Sequence, residues 1–197
     1  NAVPGLNFFS LNKERLLFAK LGPLAVPEIV EHEIVRKARQ DQRFKPAERV
    51  LGKVPPRLLE VLSDDVTPEL ATAVNRIAGV PIESRMRSSK DLGETMVVAH
   101  AVVAAERGNR VIVLIDDGGG RRVAAREAAR LRRLRERQAD IGSIALISTG
   151  HVLKKAAGGE DLPDRNSMRE LYERLRALDD GLAPLEGTGL MELPCWS

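Results

Sequence analysis

The apolar positions fall into two kinds of pattern. From Met96 to Ala105 nearly every residue is apolar, which describes a helix buried on most of its sides. Val111–Ile115 and Ile144–Ile147 are shorter, continuous aliphatic runs, which suit strands covered on both faces. Arg121–Gln138 behaves differently. There Val123, Ala124, Ala128, Leu131 and Leu134 share one side of a helix, and Arg122, Arg126, Arg130, Arg133 and Arg137 share another.

Punctuation by Pro, Gly and capping residues fills in the rest. Asn1–Phe9 reads as the tail of a first strand and its loop, and Asn12–Lys20 as a short helix stopped by Gly22. Leu24–Val26 is a short strand, after which Pro27 opens a helix over Glu28–Arg39. Pro46–Leu51 suits a short helix, and Arg57–Leu62 fits strand or helix. Thr67 and Pro68 begin a helix that ends before Gly79. Ile82–Lys90 reads as a basic loop. Asp91 with Glu94 three residues on resembles a capping box, and Gly108 a C-cap. Gly118–Gly120 reads as a flexible turn. His151–Ala157 is a short helix, and Asn166 or Ser167 caps another that runs to Leu178, with Glu170 as the partner of Ser167.

Strands alternating with helices predict an α/β protein: a three-layer α/β/α sandwich with a central parallel sheet. Its 197 residues suffice for one well-buried core. Residues 1–180 would form that single domain and residues 181–197 a C-terminal tail.

Candidate chemistry collects where the Val111–Ile115 strand ends. Asp116 and Asp117 follow it directly, and ligand sites in open α/β sheets lie just beyond the carboxyl ends of strands. With Glu94 they offer hard oxygen ligands of the kind Mg²⁺ or Mn²⁺ prefers. Glu31 and Glu33 lie on or near the apolar side of their helix, and periodicity does not choose between them. His32, His100 and His151 stand in no ligand spacing and read as structural or surface residues. Ser148–Thr149–Gly150 reads as a turn. The single Cys195 excludes an intramolecular disulfide and a cysteine-cluster zinc site.

Charge adds little in total. The net charge is +3 and the pI about 9.2, so any binding of nucleic acid must rest on local clustering, for which the arginine stripe is the candidate. Aromatic content of 3% leaves few stacking platforms for bases. There is no apolar run of about 18 residues, so no membrane span is expected, and no visible signal peptide, which reads as cytoplasmic. The chain begins at Asn1 without a methionine, consistent with a trimmed start.

Three segments in this order resemble the PIN-domain nucleases, in particular proteins of the prokaryotic toxin–antitoxin type. They are VPEIVEHEI (Val26–Ile34), GETMVVAHA (Gly93–Ala101) and VLIDDGGGRRVAA (Val113–Ala125). IGSIALISTGHVLKKAA (Ile141–Ala157) is similar to the family's last strand, turn and short helix. The resemblance implies Glu33, Glu94 and Asp116 as catalytic acids, and these three with Asp117 as metal ligands. It further implies Mg²⁺ or Mn²⁺ as cofactor and RNA as the molecule cut. Arg122 and Arg126 would bind that RNA. An antitoxin protein and a second copy of the chain are the partners it suggests. The family's leading acid stands in an Asp-x-Asn pattern after the first strand. No Asp or Glu precedes Glu14 here, and Asn1 corresponds to the Asn of that pattern.

Two other readings fit the same residues. One is a PIN-like module that binds RNA or protein without cutting. The other is a different α/β metal-dependent phosphohydrolase. Against the latter, LIDD lacks the Asp-x-Asp of haloacid-dehalogenase-type phosphatases, and DDGGGRR lacks the Gly-Lys-Ser/Thr of a P-loop.

Overall fold

The computed structural model describes residues 4–179 and 181–196. It is a helix-rich mixed α/β protein. The chain runs α1 (Pro4–Ser10), α2 (Glu14–Leu21), β1 (Leu24–Pro27), α3 (Glu28–Gln40), α4 (Lys45–Leu51), β2 (Leu59–Leu62), α5 (Pro68–Ala78) and α6 (Ile82–Met86). It continues with α7 (Leu92–Glu106), β3 (Arg110–Leu114), α8 (Gly118–Arg135), β4 (Ser143–Ile147), α9 (Thr149–Ala156) and α10 (Arg165–Leu178). Among the described residues the strands form two parallel pairs, β1 with β2 and β3 with β4.

The described residues divide into two compact units. One comprises the chain as far as Ala25, Ile34–Glu60 and the residues from Ile147 onward; the other comprises Val26–Glu33 and Val61–Leu146.

In the first unit α1 packs against α2, α4 and α10, and α2 against α9. The strand expected over Asn1–Phe9 is instead the helix α1 from Pro4 onward; Asn1, Ala2 and Val3 lie outside the described residues. A short apolar run has no period of its own that separates strand from helix. Here the helix buries Leu6, Phe8 and Phe9, and it lets the Ser10 hydroxyl donate to the Leu6 carbonyl at 2.7 Å. α10 is capped by Asp164 rather than by Asn166 or Ser167. The Asp164 carboxylate accepts from the Ser167 N–H at 2.8 Å, and the Asp164 N–H donates to the Ser167 hydroxyl. The last residues are fastened to this unit. Leu182, Leu185 and Leu190 are buried, the Tyr172 hydroxyl donates to the Ala183 carbonyl, and Trp196 Nε1 donates to the Leu190 carbonyl.

In the second unit α7 is the axis. It packs against α5, β3 and α8, which is why it is apolar nearly all round rather than on one stripe. Leu92, Met96, Val98, Ala99, Ala101, Val102 and Ala105 are all buried in one core with Leu70, Val74, Val113, Ile115 and Leu131. Each large member contributes about 1.5–3 kcal/mol by leaving water. α5 has the expected ends: the Thr67 hydroxyl accepts from the Leu70 N–H, and Gly79 closes the helix in a left-handed conformation. β3 departs from expectation, because it is not covered on both faces. Val113 is buried whereas Ile112 is 62% exposed.

Candidate functional site

The site is built where β3 gives way to α8. The three glycines after Asp117 are the first turn of α8 rather than a loose loop. Asp117 explains this, because its carboxylate accepts from the Gly120 N–H at 2.8 Å and caps the helix. Space at Gly120 is tight. A Cβ there would run into Ile115 Cδ1 and sit 3.1 Å from Glu94 Oε2. The Glu94 carboxylate therefore lies directly against the start of α8.

Glu94 itself stands in the first turn of α7. The expected capping box does not form. Asp91 occupies the cap position in a left-handed conformation, φ 55°, and its side chain makes no cap bond. The preceding loop is tied from a different side. Arg85, 9% exposed, donates Nη1 to the Ser88 carbonyl at 2.7 Å and Nη2 to the Lys90 carbonyl at 2.5 Å. Its Nε and Nη2 also reach the Thr95 hydroxyl, which donates to the Asp91 carbonyl. These bonds fix the turn that carries Asp91 and leave the Glu94 carboxylate out of the capping network.

Glu33 reaches the same place from α3. Its Oε2 lies 3.0 Å from where a Cβ on Gly93 would be, beside Val30 Cγ2 at 3.2 Å from the same point. Glu33, Glu94 and Asp117 thus converge on the first turns of α7 and α8, with Asp116 half-buried at the end of β3. The electrostatic consequence falls on Glu94. Burial first, then the charges of Asp117, Asp91 and Glu33, push its carboxyl from the ordinary 4.5 up to about 7. Among the described residues, no group of three or more His, Cys, Asp or Glu side chains is arranged to hold a metal ion. The acids are near enough to repel one another without being drawn round one point.

The chain matches no family model, no curated protein and no solved structure. The chemistry of the site therefore rests on these residues alone.

The arginine stripe divides. Arg122, Arg126 and Arg133 are exposed on α8, and Arg137 lies past the helix end. The Arg122 guanidinium folds back over the first turn, with Nη1 3.5 Å from the Cβ position of Gly118. Arg130 is committed elsewhere. It donates Nε to Glu127 Oε2 at 2.8 Å and Nη2 to Glu106 Oε1 at 2.5 Å. Arg76 from α5 bridges the same two acids. This four-membered network joins α5, α7 and α8 around Glu127, whose side chain is only 10% exposed.

Sequence reasoning missed Asp64, and it read His100 as structural or surface without finding its partner. Asp64 is buried just after β2, and His100 is half-buried on α7. Asp64 Oδ2 accepts from the Ile29 N–H at 2.7 Å, and Oδ1 lies 2.7 Å from His100 Nε2. A signal for Asp64 was present: LEVLSDD ends a strand on two aspartates, as VLIDD does. Ser148 and His151 also proved to be local. The Ser148 hydroxyl caps α9 and lies 2.7 Å from His151 Nδ1.

Proposed function

We propose that the protein is a divalent-metal-dependent endoribonuclease of the PIN type, with Glu33, Glu94, Asp116 and Asp117 around the cation and Arg122 and Arg126 on the RNA. The observation that carries this reading is the convergence of Glu33, Glu94 and Asp117 on the first turns of α7 and α8, where burial and the neighbouring acids raise the Glu94 carboxyl to about 7. Acids that raise the proton affinity of one of their number also favour a cation placed among them. Their donors are all hard oxygens, which suits Mg²⁺ or Mn²⁺ rather than a soft metal. A cation bound there would supply an activated water and neutralise charge on the phosphate.

The chain's own groups do the rest. Near neutrality Glu94 shares its carboxyl between protonated and ionised forms, and a nearby positive charge favours the ionised form. Arg122 and Arg126, exposed on the first turns of α8, hold phosphates by charge and leave base identity unread. No nucleophilic side chain is needed. On this reading the two parallel strand pairs belong to a three-layer sandwich, and an antitoxin protein is a natural partner for the exposed arginines.

The reading is tested by incubating labelled single-stranded RNA with the protein and Mn²⁺. Cleavage should stop on chelation. Glu94→Gln and Asp116→Asn should each slow it by on the order of 100-fold or more, since even the loss of a group behind the ligands costs about 10–100-fold. Cleavage at the wild-type rate in either variant, or in the presence of chelator, would overturn it. A second reading, an RNA-binding module that does not cut, draws on the capping bond that already occupies Asp117. It would give RNA binding without cleavage in the same assay.

A further inference from the structure

Asp64 and His100 belong to no element of the mechanism just described, yet they are joined inside the unit that carries it. Asp64 leaves β2 with its side chain 6% exposed and that of His100 15% exposed. One carboxylate oxygen takes the Ile29 N–H in the first turn of α3, and the other faces His100 Nε2 in the middle of α7. In the tautomer that pairs a donor with the Asp64 oxygen, Nε2 carries the proton and donates. The two bonds are charge-assisted and sheltered from water, which makes them stronger than exposed ones.

The placement matters because of what else the two helices hold. Glu33 lies four residues after Ile29, one turn further along α3. Glu94 lies six residues before His100 on α7. Beside Glu33, the close approach of α3 to the start of α7 is apolar, Val30 against Gly93. We infer that Asp64 and His100 are positioning residues: a buried strut that sets α3 on α7 and so brings Glu33 beside Glu94. This rests on the nuclease reading only for its effect on activity; the strut itself is a matter of geometry. Neither residue touches the reacting groups.

The test compares wild type with His100→Leu, His100→Gln and Asp64→Asn. Glutamine keeps an N–H donor near the Nε2 position, whereas leucine keeps the bulk without a donor. One readout is the nuclear Overhauser effect between the Val30 methyls and the Gly93 Hα protons, which reports the seating of α3 on α7 without RNA or metal. The other is Mn²⁺ affinity together with the separate kcat and KM for RNA. His100→Leu should weaken the Val30–Gly93 signal and lower Mn²⁺ affinity by about 10–100-fold. It should reduce kcat more than KM. His100→Gln should restore both readouts, and Asp64→Asn should fall between. An unchanged Val30–Gly93 signal in His100→Leu, or no recovery in His100→Gln, overturns the strut. If wild type neither binds Mn²⁺ nor cuts RNA, the nuclease reading falls, while the Val30–Gly93 signal still decides the strut. If His100→Leu is unfolded, Asp64→Asn against His100→Gln decides it in the same way.

Discussion

Glu94 Oε2 lies 3.1 Å from the point where a Cβ on Gly120 would stand, so the acid of α7 and the first turn of α8 occupy adjoining space with nothing larger than a glycine between them. That approach brings two sequence motifs more than twenty residues apart into one acidic neighbourhood, and its consequences can be measured.

The first concerns pH. Glu94 is raised from 4.5 to about 7 in the folded protein. Between these values the folded state binds more protons than the unfolded state, so stability falls as pH rises. The contribution is complete below about 4.5 and is lost as pH passes about 7. Glu94→Gln has no such proton. Its Tm relative to wild type should therefore climb from pH 4.5 to pH 7, as read by calorimetry, and parallel Tm–pH curves would refute the shift. Mn²⁺ added near neutral pH should stabilise wild type more than Glu94→Gln, because only a ligand of the folded state adds stability.

A second prediction concerns space. Gly120→Ala inserts a methyl against Ile115 Cδ1 and Glu94 Oε2. Overpacking of this kind costs about 1–3 kcal/mol. Urea unfolding should show that loss, whereas Gly187→Ala, with no atom within 4 Å of its Cβ position, should stay within about 0.5 kcal/mol of wild type.

The arginines should separate by role. Arg122→Gln with Arg126→Gln should weaken RNA binding and flatten its dependence on salt by about one unit of log–log slope for each phosphate no longer neutralised. Arg133→Gln with Arg137→Gln should do less to RNA. Affinity measured across a salt series distinguishes the pairs, and an unchanged slope in the first would leave that face merely solvated.

Glu127 should behave as structure. It accepts from both Arg76 and Arg130 and is nearly buried. Glu127→Gln removes the charge from two guanidinium bonds and should cost about 1.5–3 kcal/mol. The RNA salt slope should not change. A changed slope with unchanged stability would return Arg130 to the phosphate track.

How much of this was legible in the sequence follows from the kind of signal each element carries. α5 was written in Thr67, Pro68 and Gly79, each acting on its own neighbours. α7 was written in its unbroken apolar run. α1 was not, because Leu6, Phe8 and Phe9 suit either period until α4 and α10 are known. The glycines of α8 read as a turn because their helical conformation depends on the cap that Asp117 supplies. The capping box at Asp91 failed for a similar reason: Arg85, nearby in sequence but silent in pattern, holds the loop instead. Of the acids in the candidate site, strand-end and helix-start position pointed to Asp116, Asp117 and Glu94, and only family resemblance pointed to Glu33. Asp64 and His100 act through a bond that spans thirty-six residues of chain, which no local pattern records.

Under the proposed nuclease reading, Glu33, Glu94, Asp116 and Asp117 would take up a divalent cation between them. Anomalous diffraction from a crystal soaked in Mn²⁺ tests it most directly. A peak is expected among these carboxylates, with at least Glu94 and one of the two strand-end aspartates about 2.0–2.6 Å from it, and it should vanish in Glu94→Gln. No peak there at saturating Mn²⁺, or a peak elsewhere that Glu94→Gln leaves intact, would contradict it.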